Sequence, residues 1–417
     1  MNDVDVSKLT LPNGVRIVTE RMEGVQSVAL GIWVGAGSRL ENGQNSGVSH
    51  FIEHLMFKGT GKRTAKDIAE ALDGVGGQMN AFTSKECTCY YTRTLDEHFD
   101  LALDVLSDMF FNSAFKQEAI DMERGVVEEE IRMYEDTPDD LIHDLLVQTA
   151  WPDHPLGRPI LGTLESLGGI RRAEILDYIG RAYVPDRVVV AAAGRLEHEE
   201  IQQKIRLRFE SMKQVQGLDT PAAPAATVPV GSNQWKDTEQ IQLCLGVNGL
   251  KVDDADIYSL HVLNNVLGGG LSSRLVQSIR EERGLAYSVY SYHSAFCDTG
   301  LFALYAGTSP SKYQEVLDLL LKELESLVEK GITQKELEKA QEQIKGSLIL
   351  GLESASSRMS RLGKNELALN RMIPPSEVVE RVSAVTLEGV RELAGRLFRE
   401  KKITVSTIGR LEEAVRL

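Results

Sequence analysis

Cysteine is scarce in this chain: Cys87, Cys89, Cys244 and Cys297 are the four in 417 residues. That is too few for a disulfide framework at this length, so a reducing compartment is expected. Cys87 and Cys89 sit two apart in a strand-like run, where they point the same way and read as core packing. No apolar run approaches the about 18 residues of a membrane span, and none is expected. Residues 1–10 carry Asp3 and Asp5 without an apolar leader segment, so a cytoplasmic protein is expected. An excess of basic residues is missing too. The net charge is −15, and residues 1–200 hold 19 Lys and Arg against 34 Asp and Glu, while the rest hold 27 of each. Acidity confined to the first half argues against a nucleic-acid partner.

What is present is an ordinary globular composition, with 42% apolar and 26% charged residues. It excludes disorder, and the length allows roughly two or three domains of about 150 residues. Residues 217–234 hold Pro221, Pro224 and Pro229 among small residues, the makings of a semi-extended linker. It separates an N-terminal domain, 1–216, from a C-terminal domain, 235–417.

The two halves are related. At an offset of 211 residues, a strand-like run and turn lead into His50-Phe-Ile-Glu53-His54 in the first and His261-Val-Leu-Asn264-Asn265 in the second. An internal duplication is implied, with the polar cluster kept in one copy. Each half reads as α+β. Residues 7–20 predict a hairpin about Asn13-Gly14, 46–58 a helix, and Thr64 the cap of another. Residues 78–84 and 87–94 predict strands, 95–111 and 117–134 long helices, and Thr137 caps one more. A buried strand follows over 186–193. In the second half, helices are predicted near 255–267, 272–283, 311–329 and 333–352.

Two of the eight histidines carry the chemical signal. His50 and His54, four apart on a helix, share one face, so both imidazoles reach a single ion. Glu53 lies on the same face and can approach the open side of that ion. A catalytic zinc takes three protein ligands, and the best source of the third is the run Glu123 to Glu130. Glu123 and Glu130 are two helical turns apart on one face, whereas Glu128 and Glu129 point elsewhere.

His50-x-x-Glu53-His54, followed by a glutamate 76 residues after the second histidine, resembles the pitrilysin/insulinase family of zinc metallopeptidases, the inverzincins. The nearest likeness is to the mitochondrial-processing-peptidase-like bacterial members. The resemblance spans nearly the whole chain. It implies one Zn2+ per chain held by His50, His54 and Glu130, with Glu53 as the base that activates the zinc-bound water. Glu123 would then orient a ligand histidine from behind. It implies two homologous units, each a mixed, mainly antiparallel sheet packed with helices, set as a clam shell around a chamber, the second unit inactive. Asn80, Ala81, Phe82 and Thr83 match an edge strand that pairs with extended substrate. Arg280 and Tyr287 match residues that reach the substrate in catalysis, and Gly268–Gly270 resembles a glycine-rich loop. Asp140 and Asp144 match acidic residues that grip a basic side chain near the cut.

The expected activity is therefore zinc-dependent endoproteolysis of peptides or unfolded segments. The expected assembly is a homodimer, or a heterodimer with an inactive homologue. A noncatalytic subunit and a metal-binding protein without catalysis are the competing readings. The complete set of His50, Glu53, His54 and Glu130 argues against both.

Overall fold

A computed structural model describes residues 5–411. Strands β1 (Asp5–Thr10) and β2 (Arg16–Arg21) form the hairpin expected about Asn13 and Gly14, and Gly14 takes the left-handed backbone at φ +98° that its turn requires. With β3 (Ser27–Val34), β4 (Gln78–Thr83), β5 (Thr88–Leu95) and β6 (Val188–Gly194) they make a six-stranded sheet, ordered β1-β2-β6-β3-β5-β4. The second sheet is ordered β7-β11-β8-β10-β9, from β7 (Val230–Trp235), β8 (Ile241–Asn248), β9 (Ala286–Ala295), β10 (Gly300–Thr308) and β11 (Thr404–Gly409). In each sheet a single pair is parallel, β2 with β6 and β7 with β11. The fold is thus mixed and mainly antiparallel, two sheets packed with helices.

Six helices matter below: α1 (Val48–Met56), α2 (Gln117–Glu135), α3 (Pro138–Ala150), α4 (Ile257–Gly268), α5 (Gln334–Gly351) and α6 (Ala355–Leu369). Two compact units result. One comprises the chain through Arg132, Pro159–Pro221 and Leu350–Pro374, and the other Met133–Arg158, Ala222–Ile349 and the chain from Pro375. Each unit therefore borrows a helix from the opposite sequence half. A single cut at the linker does not describe this partition. The linker is also shorter than expected, because residues 230–234 belong to β7. Their partner, β11, lies over 160 residues further on, beyond the reach of a local reading.

The borrowed helices explain the composition of the central strands. Val28, Leu30, Ile32 and Val34 of β3 enter one core, while Ala29 and Trp33 meet Met359 and Leu362 of α6 on the other face. A strand buried on both faces must read as an unbroken apolar run, as β3 does. At Gly31 a Cβ would fall 2.5 Å from Met359 Sδ and 2.8 Å from Trp33 Nε1, so a larger residue would make these side chains shift where α6 packs on the sheet. The second sheet repeats the device. Cys244, Ala303 and Ile408 meet Ile142 and Leu146 of α3, and Gly246 leaves room for Leu146. Ion pairs add direction to the α6 contact: Glu366, fully buried, lies 2.6 Å from Lys8 Nζ, and Glu20 pairs with Arg358. A buried carboxylate needs such partners.

Two local expectations change. The helix predicted over 272–283 contains a π-helical turn, Val276–Glu281, closed by the Glu282 N–H, which reaches back five residues to the Gln277 carbonyl. Thr137 begins α3 without capping it through its side chain. Its hydroxyl donates to the Met133 carbonyl at 2.9 Å instead. No helix among the described residues is long and apolar enough to cross a membrane.

Candidate metal centre

Helix α1 is held at both ends before it presents any chemistry. Val48, Phe51, Ile52 and Leu55, spaced at helical period, anchor it in the core of the first unit. Its first residue follows Gly47, at φ +91°, which offers no side-chain cap. The cap comes from Glu41, a buried carboxylate that accepts from the N–H groups of Gly47 at 2.7 Å and Ser49 at 2.8 Å. This satisfies amides that the helix itself leaves unpaired and suits the positive end of its dipole.

The opposite face carries His50, Glu53 and His54. The two imidazole rings lie 4.6 Å apart, and each turns its Nε2 toward Glu130 of α2, at 3.7 Å for His50 and 3.4 Å for His54. One potential ligand atom from each of these three residues lies within 4.8 Å of the others. His54 Nδ1 is 2.9 Å from Glu123 Oε1, and the second Glu123 oxygen is 2.7 Å from Lys58 Nζ. Glu53 Oε2 accepts from the Thr83 hydroxyl at 2.6 Å.

Electrostatics separate these groups. Burial pushes the His50 imidazolium down to about 4, helped by His54 and opposed by Glu130. Burial also acts downward on His54, but its hydrogen bonds to Glu130 and Glu123 outweigh this and raise it. Glu130 is lowered, chiefly by its hydrogen bond with His54. Glu53 is raised by burial, against the Thr83 hydrogen bond and the charge of His54. The two carboxyls are thus shifted in opposite directions, Glu53 up and Glu130 down. Two imidazole nitrogens and a carboxylate also form a donor set that fits a catalytic zinc, leaving a fourth position open.

The other predicted residues fall into two groups. Asn80 to Thr83 lie on β4, an edge strand whose only partner among the described residues is β5. Asn80 Oδ1 accepts from the Ala81 N–H at 2.8 Å, and Phe82 packs edge-on against Trp33 with centroids 5.5 Å apart. Asp140, Asp144, Arg280 and Tyr287 belong to the second unit. There the Arg280 guanidinium lies over the Tyr287 ring, 5.2 Å from its centroid, and Tyr287 is 79% exposed. Asp140 and Asp144 lie one turn apart on α3, and together with burial they raise the Tyr134 phenol.

Three residues were not foreseen. Glu41 caps α1, Lys58 pairs with Glu123 of α2, and His143 lies 2.7 Å from the Tyr292 hydroxyl and 2.9 Å from that of Tyr290. The partners of Lys58 and His143 come from distant parts of the chain. Lys58 does carry one local signal, since it follows His54 by a helical turn.

Two sheets packed with helices carry, on one helix pair, a His-His-Glu group able to hold a metal ion, the pattern that the sequence resemblance implies. Comparison with known families agrees. Residues 16–164 match the insulinase family of peptidases, family M16, and residues 169–344 match the inactive domain of that family. The chain belongs to peptidase family M16. It is 48% identical over 397 residues to the uncharacterized zinc protease YmxG of Bacillus subtilis, covering 95% of this chain and 96% of that one. A zinc protease of Streptomyces coelicolor is 43% identical over 415 residues, covering 98% and 90%. Among solved structures, a protease from Helicobacter pylori superposes with TM-score 0.89 at 23% identity, covering 98% and 100%. A Pseudomonas fluorescens peptidase M16 inactive-domain structure gives TM-score 0.91 at 20% identity, covering 97% and 98%. At these identities the two structures speak for the fold alone.

Proposed function

We propose that the protein is a zinc-dependent endopeptidase in which His50, His54 and Glu130 hold the metal and Glu53 is the general base. The observation that carries this reading is the convergence of three donors beside a fourth, chemically distinct carboxylate. When bound, zinc supplies Lewis-acid polarisation of water and of the scissile carbonyl. Glu53 takes a proton from the attacking water and returns it to the departing amine. The Thr83 hydroxyl, by donating to Glu53 Oε2, leaves Oε1 for that proton. Burial, which raises the Glu53 carboxyl, brings its proton affinity nearer to what a base at neutral pH needs.

The edge of β4 is where an extended peptide would add as a further strand, with the Asn80 side chain yielding the Ala81 N–H. Arg280 and Tyr287 are the residues of the second unit we assign to substrate. The exposure of Tyr287 leaves it available for that contact. Asp140 and Asp144, one helical turn apart, would select a basic residue near the cut, and the working assembly would be a homodimer. A noncatalytic subunit is disfavoured, because a metal site without catalysis has no use for Glu53.

The test is Glu53→Gln. Its zinc content should equal that of wild type, while cleavage of a quenched fluorescent peptide with an internal arginine falls by about 10²–10⁴-fold. Equal cleavage by both proteins would remove Glu53 from the mechanism.

A further inference from the structure

The structure assigns to Lys58 the role of a positioning residue for the metal site, acting on His54 through Glu123. This rests on the reading of His54 as a zinc ligand. Lys58 follows His54 by one helical turn, and its N–H still bonds the Leu55 carbonyl at 3.1 Å, so it continues the path of α1 past Met56. Its ammonium meets Glu123 Oε2 at 2.7 Å, while Glu123 Oε1 meets His54 Nδ1 at 2.9 Å. Glu123 is 3% exposed, and Lys58 and His54 are the ion-pair partners of its carboxylate among the described residues.

The chemistry follows from donor counting. An ionised carboxylate only accepts hydrogen bonds, so a neutral His54 held by Glu123 carries its proton on Nδ1 and its lone pair on Nε2, the form a metal ligand must have. That Nε2 is the atom turned toward Glu130. Glu123 thus selects the tautomer that can ligate, and it does so only while Oε1 stays aimed at the ring. One hydrogen bond leaves a carboxylate free to rotate, whereas a second anchor on the other oxygen fixes its plane. Lys58 is that anchor, and it is also the charge that makes an ionised group tolerable at this depth. Outer partners of this kind typically set metal affinity by about 10–100-fold.

The test uses the purified full-length chain. Lys58→Met should lose zinc to a competing chelator at about tenfold lower chelator concentration than wild type. Lys58→Arg should recover most of the difference. In the metal-free protein, at a pH alkaline enough to leave His54 neutral, long-range 1H–15N NMR should show His54 as the Nδ1–H tautomer in wild type and as a mixture in Lys58→Met. In a Glu123→Gln background, Lys58→Met should change zinc retention no further, as expected of residues acting in series. Lys58→Gln serves the same comparisons if the methionine variant does not fold. Unchanged zinc retention and an unchanged His54 tautomer in the Lys58 variants would overturn the proposal, and so would additive losses in the double variant. Wild type that binds no zinc would sink the zinc reading instead, and the tautomer comparison would still judge Lys58.

Discussion

His261 and His293 in the second unit stand 4.7 Å apart with their rings at 69°, nearly the arrangement of His50 and His54, which stand 4.6 Å apart at 61°. Among the described residues, the first pair converges on a carboxylate and the second does not. Among the described residues, the one group of three metal-capable side chains is His50, His54 and Glu130. At the offset of 211 residues, Glu53 and His54 become Asn264 and Asn265, and Glu123 and Glu130 become Gln334 and Gln341 of α5. These amides serve the fold. Asn264 Oδ1 accepts from the Ser291 hydroxyl at 2.8 Å, and the Gln341 amide donates to the carbonyls of Val382, Ser383 and Val385. A close imidazole pair is therefore compatible with plain packing. What separates the two units is the polar set on α1 and α2, in which Glu53, His54, Glu123 and Glu130 correspond to Asn264, Asn265, Gln334 and Gln341 of the second.

The largest effect is expected where one substitution gives the first unit the side-chain type of the second. On the proposed reading Glu130→Gln removes a ligand, so its zinc affinity should fall by more than the about 10–100-fold loss typical of an outer partner, and hydrolysis should fall with it. Metal analysis after dialysis, beside a peptide assay, reads both. A variant that kept its zinc would mean that α2 does not distinguish the units.

The borrowed helices predict a smaller, parallel pair of losses. Met359 on α6 and Leu146 on α3 are each buried against the sheet of the unit they join. Met359→Ala and Leu146→Ala should each cost about 2–5 kcal/mol in denaturant unfolding. If one loss were negligible, the two sheets would not depend alike on the helix each receives.

Much of this was legible in the chain. The hairpin about Asn13-Gly14, the buried strand β6 and the helix face bearing His50, Glu53 and His54 follow from turn chemistry, from an unbroken apolar run and from a helical period of 3.6. The exchange of α3 and α6 does not, because an amphipathic helix records that it is covered and not by which sheet. Glu41 was silent for a related reason, since a cap supplied from six residues before Gly47 leaves none of the usual spacing between cap and helix. The π-helical turn at Val276–Glu281 likewise has the apolar pattern of an ordinary helix.

The second unit also shows a carboxylate wholly committed to structure. Burial acts to raise Glu336, but hydrogen bonds from Arg274 and the Thr333 N–H outweigh it and hold the carboxyl down to about 2, from an ordinary 4.5. Because the folded value is the lower one, the stabilisation is present above about 4.5 and is lost as pH falls from there toward about 2. The group is partly solvated, so the contribution is about 1–2 kcal/mol. Glu336→Gln should lose that much near neutral pH, and the gap from wild type should close on acidification, as chemical unfolding at several pH values would show.

The smallest expected effect is no change at all, and it is the sharpest test of the comparison. Asn264→Glu with Asn265→His would restore to α4 the sequence pattern of α1. If two imidazoles and a nearby glutamate on one helix were enough, this variant would hold a second zinc. If the carboxylates of α2 decide, it should still bind one zinc per chain, because Gln334 and Gln341 provide no substitute and the Gln341 amide is already engaged. Its thermal midpoint should fall slightly, since a glutamate, one methylene longer, does not place an acceptor where Asn264 Oδ1 meets the Ser291 hydroxyl. Metal titration that ends at one equivalent would place the distinction between the units on the helix that faces the histidines, and an end point at two would place it on the motif alone.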